Sequence, residues 1–177
     1  MTITETKLKD CVILSPPVFQ DNRGYFFESF NQEVFQRLCG QPVSFVQDNQ
    51  SYSGYGVIRG LHFQTGEYAQ AKLIRVICGK VLDIAVDLRP ASPTYLQWTG
   101  VELSGKNHLQ LFIPRGFAHG FSVLENGTIL AYKCDNYYDK ASERGVRYDD
   151  PTLNIDWQVP EKERILSEKD QALPFLR

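Results

Sequence analysis

Lys72-Leu73-Ile74-Arg75-Val76-Ile77-Cys78-Gly79-Lys80-Val81-Leu82-Asp83-Ile84-Ala85-Val86-Asp87-Leu88 decides the fold class of this chain. Ile74, Val76 and Cys78 alternate with Leu73, Arg75 and Ile77. Beyond Gly79-Lys80, Leu82, Ile84, Val86 and Leu88 alternate with Val81, Asp83, Ala85 and Asp87. Successive side chains of a strand point to opposite faces, so an alternation of period two marks strands. Two such runs joined by a short glycine-containing turn predict a β-hairpin. Lys72 shares a face with Ile74, Val76 and Cys78, which is predicted to point inward. A lysine on a largely apolar inward face needs a partner or a function.

Working outward, the same pattern predicts strands over residues 12–14, 24–30, 44–49, 57–64, 96–102, 108–113, 120–123 and 128–135. Gly, Pro, Asn and Asp separate them. Many short strands with turn signals between them indicate an all-β sandwich or barrel. Helix is scarce. Gln32–Cys39 follows Asn31, a good N-cap, and stops at Gly40. A further helical turn is expected within residues 160–170.

The chain has 177 residues, 42% hydrophobic and 23% charged, with a net charge of −2. That suits one domain over residues 1–177 with a substantial core. No run of lysine or arginine points to nucleic acid or a membrane surface. No apolar stretch approaches a membrane span, and residues 1–10 lack the apolar centre of a secretory signal. Cys11, Cys39, Cys78 and Cys134 form no Cys-x-x-Cys pair, so a cytoplasmic protein with reduced thiols is expected.

The candidate chemistry centres on His62, one of only three histidines. Arg59 precedes it by three residues and Lys72 follows by ten. An imidazole, a guanidinium and an ammonium so close in sequence suggest a site that holds an anion and moves a proton. A core histidine bonded to backbone is the alternative. In a regular strand Arg59 and His62 point to opposite faces, unless Gly60 marks a bulge. Arg23 and Glu28 flank the aromatic run after Asp21-Asn22-Arg23-Gly24, where a phosphate contact and a solvated turn are both open readings. Gln47, Asp48 and Asn49 form a polar run that suits either a ligand edge or a loop. Pro114-Arg115-Gly116-Phe117-Ala118-His119 carries the Pro-x-Gly-x-x-His spacing found in cupins. Tyr132 is either a wall residue or an acid. Asp170, packed on His62, would orient its ring.

Together these segments closely resemble the dTDP-4-dehydrorhamnose 3,5-epimerase family. The matching stretches are residues 21–30, 45–49, 57–64, 70–76, 112–121, 131–138, 142–157 and 166–170, in the expected order. The resemblance implies a cupin-type jelly roll with a few short helices, and a homodimer with strands shared across its interface. It implies no metal and no cofactor. The implied substrate is dTDP-4-dehydro-6-deoxy-D-glucose, whose C4 ketone acidifies the protons at C3 and C5. By resemblance, His62 is the general base with Asp170 as its partner, and Tyr132 is the acid on the opposite sugar face. Lys72 binds substrate and stabilises the enolate oxygen. Arg59 and His119 contact diphosphate or sugar. Arg23, Glu28, Gln47, Asp48 and Asn49 match nucleotide-side positions, Tyr138 an aromatic near nucleotide and sugar, and Glu143 and Lys169 further binding positions.

Three rival readings differ in the residues they need. A metal-dependent cupin would use several imidazoles, and His62, His108 and His119 offer no His-x-His pair. A non-catalytic nucleotide-sugar binding module has no need of His62, Lys72 and Tyr132 together. An epimerase acting only at C3 would keep the same catalytic set.

Overall fold

The computed structural model describes residues 1–176. Its strands are β1 (Thr2–Glu5), β2 (Val12–Ser15), β3 (Phe19–Asp21), β4 (Gly24–Phe26), β5 (Gln47–Ser53), β6 (Ile58–Gln64), β7 (Lys72–Cys78), β8 (Lys80–Asp87), β9 (Trp98–Ser104), β10 (Gln110–Ile113), β11 (Phe117–Val123), β12 (Thr128–Cys134) and β13 (Glu143–Gly145). The helices are α1 (Gln32–Cys39) and α2 (Glu168–Gln171). A six-stranded sheet runs β1-β2-β10-β7-β12-β5, and a five-stranded sheet runs β13-β6-β11-β8-β9. This is the all-β jelly-roll sandwich expected from the strand pattern. β3 and β4 form a separate ribbon.

The inner faces of the two sheets make the central core. Ile74, Val76, Leu111 and Leu130 meet Val81, Ala85, Leu103 and Val123 there. The outer face of the five-stranded sheet is also covered. Leu82, Ile84 and Val86 pack beneath Leu153 and Trp157 of the C-terminal segment. Trp157 is anchored by its indole N–H, which donates to the Tyr148 carbonyl at 2.8 Å. α1 closes part of the other outer face, with Phe35 against Leu14, Leu73 and Phe112. Its caps are those expected: Asn31 accepts from the Val34 amide, and Gly40 is left-handed at φ 64°.

The predicted hairpin across Gly79 does not form. β7 lies between β10 and β12, whereas β8 lies between β11 and β9. The chain therefore turns a corner from one sheet into the other. Both faces of β8 are buried, so its alternation carried no record of which strand it pairs with. Gly79 makes the corner possible: it sits at φ 79°, and a Cβ there would come within 2.2 Å of Thr128 Oγ1. Lys72, Ile74 and Val76 do face inward, but Cys78 is exposed as the strand reaches this corner.

Other expectations shift in extent. The strand over 24–30 ends at Phe26, and the one over 44–49 begins at Gln47 and runs to Ser53. β1, β3 and β13 were not expected. All residues of β1 and β3 are exposed, so neither carries an apolar alternation to read.

Candidate functional site

A cavity of about 610 Å³ opens between the two sheets. The five-stranded sheet supplies Arg59 and His62 from β6 and His119 from β11. The six-stranded sheet supplies Lys72 from β7 and Tyr132 from β12. His62 and Tyr132 therefore stand on opposite walls.

A bulge lets β6 present both Arg59 and His62. His119 pairs with His62, and Phe121 pairs with Arg59. Between these pairs β11 spends one residue while β6 spends two, Gly60 and Leu61. The extra residue turns Arg59 onto the side of His62. A Cβ on Gly60 would lie 2.5 Å from the Gly120 Cα, so glycine is what allows the strands this approach. The Gly60–Leu61 peptide is cis. Arg59 is steadied by Ser53, whose Oγ accepts from Nε at 3.3 Å and Nη2 at 3.1 Å.

Asp170 reaches His62 along a defined route. The C-terminal segment runs beside the start of β6, where Val57 bridges Ile165 in parallel. The Ile58 amide donates to the Ile165 carbonyl at 2.9 Å, and the Ile165 amide donates to the Gly56 carbonyl at 2.9 Å. Ser167 then caps α2 by accepting from the Asp170 amide. His62 Nε2 and Asp170 Oδ1 lie 2.6 Å apart. The contact is close but off hydrogen-bond alignment, and neither atom has another partner among the described residues. Burial raises the Asp170 pKa, but the His62 contact and the Ser167 cap outweigh it and hold the carboxyl below its ordinary value.

A second histidine–carboxylate pair lies directly behind the first. His119 Nε2 is 3.1 and 3.0 Å from the two oxygens of Asp83, and both residues are buried. Burial pushes the His119 pKa down, against the pull of Asp83, so the ring is neutral at neutral pH. Sequence reading missed Asp83. The available signal was a carboxylate in the middle of an otherwise apolar strand run.

Across the cavity, Lys72 Nζ sits 5.9 Å from the centre of the Tyr132 ring. Burial lowers the Lys72 pKa, with Cys134, Asp83 and Glu143 opposing. Burial raises the Tyr132 pKa, so its phenol keeps its proton. A neutral phenol, a lysine amine that acts as an oxyanion partner when protonated, and a carboxylate-backed imidazole around one cavity can remove a proton, stabilise an oxyanion and return a proton from the other side.

At the mouth, the Tyr138 hydroxyl donates to Glu143 Oε2 at 3.0 Å, and Lys169 Nζ donates to Glu143 Oε1 at 2.6 Å. Gln47 and Asn49 line the cavity from β5. Asp48 does not: strand alternation aims it at the outer face, where it pairs with Lys133 at 2.9 Å. The grouping of three consecutive residues on one ligand edge is thus broken by the pleat. Arg23 and Glu28 also lie away from the cavity. Arg23 sits in the β3–β4 turn and pairs with Asp21 at 2.6 Å, and Glu28 accepts from Asn31 at 3.2 Å. The third histidine, His108, packs against Tyr25 and Phe27 with ring centres 4.7 and 4.9 Å apart.

Fold and site describe a class: a jelly-roll protein whose cavity is equipped for acid–base proton transfer. The comparisons with known proteins narrow it. The family model described as dTDP-4-dehydrorhamnose 3,5-epimerase matches residues 5–177. The Escherichia coli K12 enzyme of that name is 51% identical over 173 residues, covering 98% of this chain and 93% of its own. A solved enzyme of the same name from Elizabethkingia anophelis superposes with a TM-score of 0.96 at 53% identity, covering 99% of this chain and 96% of its own. A Legionella pneumophila epimerase, solved in complex with dTDP-4-keto-L-rhamnose, has a TM-score of 0.94 at 46% identity, covering 98% and 92%. The chain belongs to the dTDP-4-dehydrorhamnose 3,5-epimerase family.

Proposed function

We propose that this enzyme inverts C3 and C5 of dTDP-4-dehydro-6-deoxy-D-glucose to give dTDP-4-dehydro-L-rhamnose, in dTDP-L-rhamnose biosynthesis. The observation that carries the reading is the placement of His62–Asp170 and Tyr132 on opposite walls of one cavity, with Lys72 beside Tyr132. His62 removes the proton from a carbon next to the C4 ketone. The electrons pass into an enolate, and the Lys72 ammonium stabilises its oxygen in surroundings of low dielectric. Tyr132 returns a proton to the same carbon from the other face, which inverts it. Each proton-transfer group is worth about 10²–10⁴-fold in rate. The nucleotide holds the sugar in place, with Arg59 and His119 toward diphosphate and sugar and Tyr138, Glu143 and Lys169 at the mouth.

The working form is a homodimer in the cytoplasm. The β3–β4 ribbon pairs with no sheet of its own chain and exposes Phe19, Tyr25 and Phe26. Such a cluster suits an interface. Docked on a second copy, the ribbon would bring Arg23 and Glu28 to the nucleotide side of that copy's cavity. All four cysteines are free, as a reducing compartment keeps them. No helix among the described residues is long and apolar enough to cross a membrane.

Incubation with substrate in heavy water tests the reaction. Deuterium entering both C3 and C5, followed by NMR, is the expected result. Label at C3 alone would reassign the chain to single epimerisation. Label at neither carbon would remove the catalytic reading.

A further inference from the structure

Gln64 lies on β6 two residues after His62, and it is only 6% exposed. Its side-chain amide is spent on backbone. Nε2 donates to the Tyr68 carbonyl at 2.8 Å and to the Tyr137 carbonyl at 3.1 Å. Oε1 accepts from the Asp139 amide at 2.7 Å. Both donors are used, so the group has little left to offer a ligand. What it grips are the two residues that flank Tyr138.

The same segment is held from other directions. Gln47 Oε1 accepts from the Tyr138 amide at 3.1 Å, and Gln70 Nε2 donates to the Asn136 carbonyl at 2.7 Å. The Tyr138 hydroxyl is caught by Glu143, and Glu143 is the cross-strand partner of Gln64. Both ends of Tyr138 are thus referenced to the level of residue 64 on β6. The ring itself remains exposed at the cavity mouth. An exposed aromatic face with a fixed backbone is a platform on which a nucleobase stacks.

We propose that Gln64 is a positioning residue for nucleotide binding: by clamping the backbone on both sides of Tyr138, it aims that ring over the cavity mouth. This rests on the reading that the substrate is a dTDP-sugar. Gln64 acts through Tyr138 and not on the reacting carbons. If it merely braced β6, its loss would disturb His62 two residues away and lower kcat.

The test replaces Gln64 with methionine, which is similar in length but lacks hydrogen-bonding groups. Calorimetric titration with dTDP alone and turnover of the keto-sugar are measured in parallel. Gln64→Met should weaken dTDP binding about tenfold, raise KM to match, and leave kcat within about threefold. In a Tyr138→Ala background the same substitution should add less than about twofold. Unchanged dTDP affinity, a dominant loss of kcat, or a full effect that persists without Tyr138 would each overturn the proposal. If Gln64→Met melts early by circular dichroism, Gln64→Glu, which keeps the acceptor for the Asp139 amide, is put through the same cycle. Failure of the unaltered protein to bind dTDP would instead sink the substrate reading, and this inference with it.

Discussion

Two histidine–carboxylate pairs meet at one cavity, and they differ in their access to it. His62 and His119 are direct partners across β6 and β11. The His62 side chain is 28% exposed and its Asp170 partner 6%. The His119 side chain is 7% exposed and its Asp83 partner 0%. The first pair can pick up and release a proton at a ligand. The second is enclosed, its ring is neutral, and its carboxylate lies behind the wall. Similar chemistry thus gives a moving part on one strand and a fixed part on the next. Exposure decides between the two roles, because a proton carrier must change charge during turnover and burial penalises that change.

Substitution of the two histidines should expose this difference, with the largest effect on rate at His62. His62→Asn removes the base but keeps a polar side chain of modest size. It should lower kcat by about 10²–10⁴-fold with little change in melting temperature or dTDP affinity. Retained turnover would end the base assignment.

His119→Leu should act chiefly on stability, with a loss of turnover through its substrate contact that is smaller than at His62. It strands the Asp83 carboxylate without its partner. Breaking a buried pair by removing one member costs about 3–5 kcal/mol. Chemical denaturation should show a loss of that order, against less than about 1 kcal/mol for His62→Asn. Equal stability losses at the two sites would erase the distinction between fixed and moving pairs.

Much of this arrangement was legible in the sequence. Strand identity followed from alternation, and α1 from Asn31 and Gly40, because these are local rules. Resemblance supplied His62, Lys72, Tyr132 and Asp170, which the fold brings around one cavity from four separate elements. Non-local facts were harder. The partners of β7 and β8 are set by a corner at Gly79 that looks like a hairpin turn in one dimension. The shared face of Arg59 and His62 depends on a bulge that Gly60 offered as one of two readings without deciding between them. Gln47, Asp48 and Asn49 read as one polar run, yet the pleat sends Asp48 to the other side. Gln64 was invisible because its importance lies in what it touches 75 residues away, and Asp83 showed only as a carboxylate in an apolar run, its partner His119 lying 36 residues away.

The smallest predicted effect separates the two carboxylates by their reach across the cavity. In the proposed mechanism, stabilisation of the enolate needs Lys72 protonated, so activity should be present below the Lys72 pKa and lost as pH rises through it. Burial lowers that pKa from 10.5, while Asp83 is among the groups that hold it up and Asp170 is not. Burial raises the Tyr132 pKa from 10.0, a shift opposite in direction to that of Lys72. The alkaline limb of kcat/KM should therefore fall below pH 10.5 and report Lys72. Asp83→Asn removes a negative charge that favours the ammonium, so the limb should move to lower pH. Asp170→Asn should reduce the rate by disturbing His62 but leave the limb in place. Comparing the two variants over one pH series tests whether the enclosed pair tunes the lysine on the opposite wall. Equal limbs in both would confine Asp83 to holding His119, and a shift in Asp170→Asn alone would assign the electrostatic role to the exposed pair.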